Sequence, residues 1–171
     1  MIDILVDDGV DDGEDGPLPS EEAIRQAVTT ACVEVGFQHS PMLCIRFSDN
    51  ETVQTLNREW RKKDAVTDVL SFPMQEMDEH ESDESLGDII LATPFTITEA
   101  DRLSQPVTDH MLHLIVHATL HLLRYDHIDD EDAKIMHKHE RSAMNKLGLH
   151  DPYPDEDAIE DEFEDEDEQD V

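Results

Sequence analysis

VTDHMLHLIVHATLHLL, residues 107–123, is the stretch from which the fold can be read. Its Leu, Ile, Val and Met side chains recur on every side of a 3.6-residue helical wheel, and a helix that is apolar nearly all round is a buried, central one. The rest of the chain must therefore supply layers that cover it. Residues 129–132, all acidic, open an amphipathic helix that runs to about Leu147 and stops at Gly148. Upstream, Thr96 or Thr98 can cap a shorter helix ending near Leu103.

Four strands are legible before that. Residues 2–6 alternate well enough for an edge strand, and residues 42–47, after Pro41, form a short, mostly apolar second strand expected to pair with it. Residues 68–73 make a third strand stopped by its proline, and residues 87–92 a fourth; the acidic, polar residues 75–85 between them read as a mobile hairpin loop. A helix over 21–35, capped by Ser20 and stopped at Gly36, separates the first two strands. A second, over 51–60, follows the cap at Ser48-Asp49-Asn50, and its Val53, Leu56 and Trp60 fall on one helical face. The order is β-α-β-α-β-β-α-α-α. The expected class is α+β, a mixed four-stranded sheet with helices packed on it, forming one domain over residues 1–153 with an acidic, solvated tail over 154–171.

A chain of 171 residues suits one domain with a proper core. No apolar run is long enough for a membrane span, and the first residues lack the pattern of a cleaved leader. Cys32 and Cys44 do not imply a disulfide framework, so a reducing cytoplasm is the expected compartment. The formal net charge of −32 argues against a polyanionic partner, but the acid is concentrated in residues 7–15 and 155–170. Arg58, Arg61, Lys62 and Lys63 form a local basic patch within six residues. Solubilising charge at an exposed helix end, where cations complement the helix dipole, would account for it equally well.

The histidines carry the chemistry. His117 and His121 lie four residues apart on the buried helix, so their imidazoles project from one face and can close on a single ion. His127 lies six residues further, past a turn at Tyr125-Asp126 that would let a third imidazole reach the same ion from outside the helix. Three neutral nitrogen ligands leave a coordination position open for water, as in catalytic rather than structural zinc sites, and Asp126 could orient a ligand. His113 is an alternative ligand, but His113, His117 and His121 together span about 12 Å along a straight helix, too far to share one ion. His137, His139 and His150 are expected at the surface. Ala118 stands where a zinc peptidase of the His-Glu-x-x-His type would carry its general base, which removes that mechanism.

Residues 117–127 resemble the signature of the YbeY family, in which His, Gly, any residue, Leu, His, Leu, any residue, Gly, Tyr, Asp and His follow in order. The resemblance extends over roughly Ile4 to Tyr153 and includes Leu56-Asn57 through Arg61, residues 67–73, residues 86–90 and the ending Asp151-Pro152-Tyr153. Both signature glycines differ, with Ala118 and Arg124 in their places; Arg124 stands where glycine could provide a left-handed helix end. The resemblance implies a single-strand-specific, metal-dependent endoribonuclease acting in late maturation of ribosomal RNA at the 16S 3′ end and in ribosome quality control. It implies one ion, usually taken as zinc, on His117, His121 and His127, with Arg61 as the functional arginine facing the metal cleft. The implied partners are single-stranded RNA and the ribosomal subunit or its proteins. Two rivals are a non-catalytic ribosome-assembly factor with a structural metal site and a metal hydrolase acting on a small substrate.

Overall fold

The computed structural model describes residues 2–10, 18–37, 40–73, 85–123, 125 and 129–154. Strand β1 (Ile2–Val6) leads to helix α1 (Glu21–Glu34), strand β2 (Leu43–Ser48) and helix α2 (Asn50–Arg61). Strands β3 (Val69–Pro73) and β4 (Gly87–Ala92) precede three helices, α3 (Thr93–Arg102), α4 (Val107–Leu122) and α5 (Asp130–Lys146). The element order is the one expected. Side-chain caps explain three of the helix starts: Ser20, Asp49 and Asp129 each accept a hydrogen bond from the backbone N–H three residues on.

Helix α3 begins differently from the expectation. It follows β4 without a loop, with Pro94 in its first turn and no side-chain cap. Thr96 and Thr98 are inside the helix, where their hydroxyls donate back to the carbonyls of Ala92 and Pro94.

The sheet order is β1-β2-β4-β3, with the first two pairings parallel and β3 antiparallel to β4. The expected pairing of β1 with β2 is present. Alternation then divides the sheet. Leu43, Ile45, Phe47, Ile89 and Leu91 join the main core with Ile24 and Val28 of α1 and Met111, Ile115 and Leu120 of α4. On the opposite face Leu70, Ile90 and Ala92 pack with Val53 of α2. α4 is thus buried between the sheet, α1 and α5. α5 is fastened to α1 where Lys146 and Ser142 donate to Glu34 at 2.6 and 2.9 Å.

One glycine is required by packing. A Cβ on Gly87 (φ +140°) would stand 2.2 Å from the carbonyl oxygen of Phe72 across the β3–β4 ladder. Between those strands, residues 74–84, which include nearly all of the expected hairpin loop, lie outside the described residues, as does the acidic tail from residue 155. Cys32 and Cys44 are free; burial pushes the Cys32 thiol up to about 12. No helix among the described residues is long and apolar enough to cross a membrane.

Candidate functional site

A cleft of about 550 Å³ opens between the C-terminal half of α4 and strand β3. His113, His117, Ala118 and His121 form one wall; Thr67, Asp68, Val69, Ser71 and Pro73 form the other, with Arg61 and Tyr153 at its margins. The fold creates this geometry directly. α4 lies against the sheet, and residues 117 and 121 fall on the helical stripe that faces the edge strand rather than the core.

The Nε2 atoms of His117 and His121 stand 3.0 Å apart. Two imidazole nitrogens bound to one tetrahedral zinc ion at about 2.0–2.1 Å would be about 3.3 Å apart, so the pair is spaced to share an ion after a shift of a few tenths of an ångström. The other nitrogen of His117 explains its orientation. Nδ1 lies 2.8 Å from Oε1 of Glu140, a carboxylate with no exposed surface. A carboxylate can only accept there, so Nδ1 carries the proton and Nε2 presents its lone pair toward His121. These donors fit a transition metal. Among the described residues no three His, Cys, Asp or Glu side chains converge on one point, and the third expected ligand, His127, lies outside them together with Arg124 and Asp126.

Glu140 holds more than His117. Its Oε2 lies 2.8 Å from His113 Nε2 and accepts from the Tyr153 hydroxyl at 2.7 Å. Burial alone would push this carboxyl up, but the hydrogen bonds from His113 and His117 and their nearby charge outweigh burial and keep it well below the usual carboxylate range. His113, the alternative ligand, is therefore turned to the carboxylate. Ala118 replaces the first signature glycine without disturbing α4 and is buried on the cleft wall.

Arg61 lines the cleft at its margin. One guanidinium nitrogen donates to the carbonyl of Ser71 at 2.8 Å, and its Cζ lies 6.0 Å from the centre of the Phe72 ring. This hydrogen bond anchors an otherwise exposed side chain to β3, beside the histidine wall.

The three histidines expected at the surface are all partly covered. His137 stacks on Tyr153 with ring centres 3.8 Å apart, and His139 packs edge-on to Tyr125. His150 has both ring nitrogens buried. For His137 and His150 the cause is the segment after α5, which folds back across that helix: Arg141 pairs with Asp151, and Asp151 accepts from the Tyr153 N–H, setting the phenol against Glu140.

Sequence reasoning passed over Glu140. Its signal was present, because Met136, Glu140, Ala143 and Met144 form the buried stripe of α5, and a lone carboxylate in such a stripe needs partners. In a chain with 44 acidic residues it did not stand out.

Known proteins resemble this chain over most of its length. A profile described as endoribonuclease YbeY matches residues 15–148. The endoribonuclease YbeY of Rhizorhabdus wittichii is 42% identical over 164 residues, covering 90% of this chain and 97% of the relative. That of Zymomonas mobilis is 42% identical over 145 residues, 80% of this chain and 82% of the relative. The solution structure of TM1509 from Thermotoga maritima superposes with a TM-score of 0.52 at 20% identity, over 89% of this chain and 98% of that one, and supports the fold. The profile spans most of the chain and the relatives are matched over most of their own length, and the chain belongs to the endoribonuclease YbeY family.

Proposed function

We propose that this protein is a metal-dependent endoribonuclease that cuts single-stranded RNA, with one zinc ion held by His117, His121 and His127. The convergence of the His117 and His121 Nε2 atoms at 3.0 Å on the wall of a cleft that Arg61 also borders carries this reading. A bound ion would supply Lewis acidity to a phosphoryl oxygen and a water of lowered pKa.

The chain's own residues do the rest. Glu140 keeps the proton of His117 on Nδ1 and its lone pair on the cleft side. Arg61, steadied by Ser71, presents its planar fork of donors to the scissile phosphate, where it binds the non-bridging oxygens and meets the charge that develops on them. Leu114 and Ala118 add apolar surface to the histidine wall beside those contacts. The relatives are named endoribonucleases. Family resemblance supports late maturation of ribosomal RNA and ribosome quality control as the setting, with the small ribosomal subunit as partner and the cytoplasm as compartment.

The test is cleavage of one RNA sequence offered as a single strand and as a duplex, alongside Arg61→Ala. Single-strand cleavage that falls in the variant while its fold and metal content persist supports the proposal. Absence of cleavage in wild type, or equal cutting of the duplex, contradicts it.

A further inference from the structure

Helical periodicity aims Trp60 at the sheet along with Val53 and Leu56, yet Trp60 is 69% exposed, more than any other large apolar side chain among the described residues. The reason lies in the topology. β3 is an edge strand, and the last turn of α2 runs past it, so Val53 reaches the core while Trp60 overhangs. Its indole meets Phe72 in a T-shaped contact, ring centres 6.5 Å apart at 68°, and most of its surface stays open to solvent.

The surroundings of this indole are unlike the rest of the chain. Arg58, Arg61, Lys62 and Lys63 lie within three residues of it in a protein of net charge −32. Lys62 takes the left-handed cap position (φ 62°), which turns the chain at this point and ends the helix in a cluster of cations. Phe72 touches Trp60 and lies under Arg61, while its strand neighbours Ser71 and Pro73 line the cleft. Indole and guanidinium are thus neighbours on the Phe72 ring, with Arg61 reaching the cleft and Trp60 beside it on the α2 face of the edge strand. A strand that places a phosphate against Arg61 brings an adjacent base within reach of Trp60.

We propose that Trp60 is a stacking platform for an unpaired base of the RNA entering the cleft, and that it helps the site to select single strands. An aromatic face beside cations is the usual means of holding single-stranded nucleic acid, because every base has a π-face and every linkage a charge. A duplex offers the phosphates but keeps its base faces stacked internally. The inference rests on the proposed RNA cleavage and adds to it the residue that reads the base.

Trp60 is the sole tryptophan, so intrinsic fluorescence reports on this position alone. The zinc-loaded protein is titrated with a 2′-O-methyl oligoadenylate, an abasic oligomer of equal charge and a duplex, and the affinity of Trp60→Ala and Trp60→Phe is measured by oligonucleotide anisotropy. Quenching by the oligoadenylate but not by the other two, with affinity lowered roughly 5- to 150-fold in Trp60→Ala and largely kept in Trp60→Phe, is the expected result. Equal quenching by the abasic oligomer, or unchanged affinity in Trp60→Ala while wild type still binds and cuts RNA, overturns the stacking role and leaves the nuclease reading standing. A wild type that neither binds nor cuts RNA overturns both. Because Trp60 is exposed, Trp60→Ala should fold, and the wild-type titration remains decisive if it does not.

Discussion

Changing Glu140 to glutamine tests whether this buried carboxylate governs the proposed metal site. In wild type, its two oxygens meet three groups: His117 Nδ1 on Oε1, and His113 Nε2 with the Tyr153 hydroxyl on Oε2. Glutamine keeps the shape but replaces one acceptor with an NH2 donor. If that donor faces His117, the imidazole moves its proton to Nε2, the atom proposed to bind the ion. If it faces His113 and Tyr153, both must reverse their roles as donors. Loss of such an orienting partner typically weakens metal affinity 10- to 100-fold, about 1.4 to 2.7 kcal/mol. Glu140→Ala is the poorer probe, since it opens a cavity at a fully buried position and leaves three partly buried donors without their shared acceptor, so that lost stability and lost metal affinity would be confounded. The assay is competition between the metal-free protein and a chromophoric zinc chelator, with thermal unfolding in the absence of metal as a second readout. Zinc affinity within twofold of wild type in Glu140→Gln would refute the reasoning.

Arg61→Ala should lower kcat about a hundred- to a thousandfold at unchanged zinc content, as expected for loss of a donor aimed at developing charge; steady-state cleavage with parallel metal analysis checks it. Gly87→Ala forces a Cβ against Phe72 O and should cost about 3–5 kcal/mol, read as a lower urea midpoint. His110 is buried, both ring nitrogens lack partners among the described residues, and burial, with His113 and His150 adding to it, holds its pKa below the ordinary value despite Asp68 and Glu99. Its neutral form is the one that fits the fold. Stability is thus complete above about pH 6.5 and falls as pH drops toward the depressed folded value, because only the unfolded chain takes up the proton there. His110→Leu should flatten this fall by up to about 1.4 kcal/mol per pH unit, measured by urea unfolding between pH 7.5 and 5.5; an unchanged slope would count against it.

Much of the fold was legible because its boundaries have local causes. Ser20, Asp49 and Asp129 cap helices with their own oxygens, and Gly36, Pro73, Gly87 and Gly148 mark stops and close approaches. α3 was misplaced at its start because the chain passes from β4 to helix without a polar cap to announce it. Parallel pairing of β2 with β4, which skips β3, depends on how helices cover the sheet and leaves no local mark. For the site, the four-residue spacing was sufficient to bring the His117 and His121 imidazoles together, since it is a property of one helix. The role of Glu140 was not legible, since it joins α5 to α4 across 23 residues and exists only once those helices pack. The exposure of Trp60 was not legible for a related reason: periodicity gives a face of a helix but not where the sheet beneath it ends.

The most direct measurement is metal content by mass spectrometry on purified wild type and His121→Ala, with cleavage of a single-stranded RNA followed with and without chelator. The account predicts one equivalent of zinc and chelator-sensitive cleavage in wild type, both lost in the variant. Bound metal without cleavage would contradict the nuclease and favour an assembly factor with a structural ion, and absence of metal from wild type would remove the centre on which the mechanism depends.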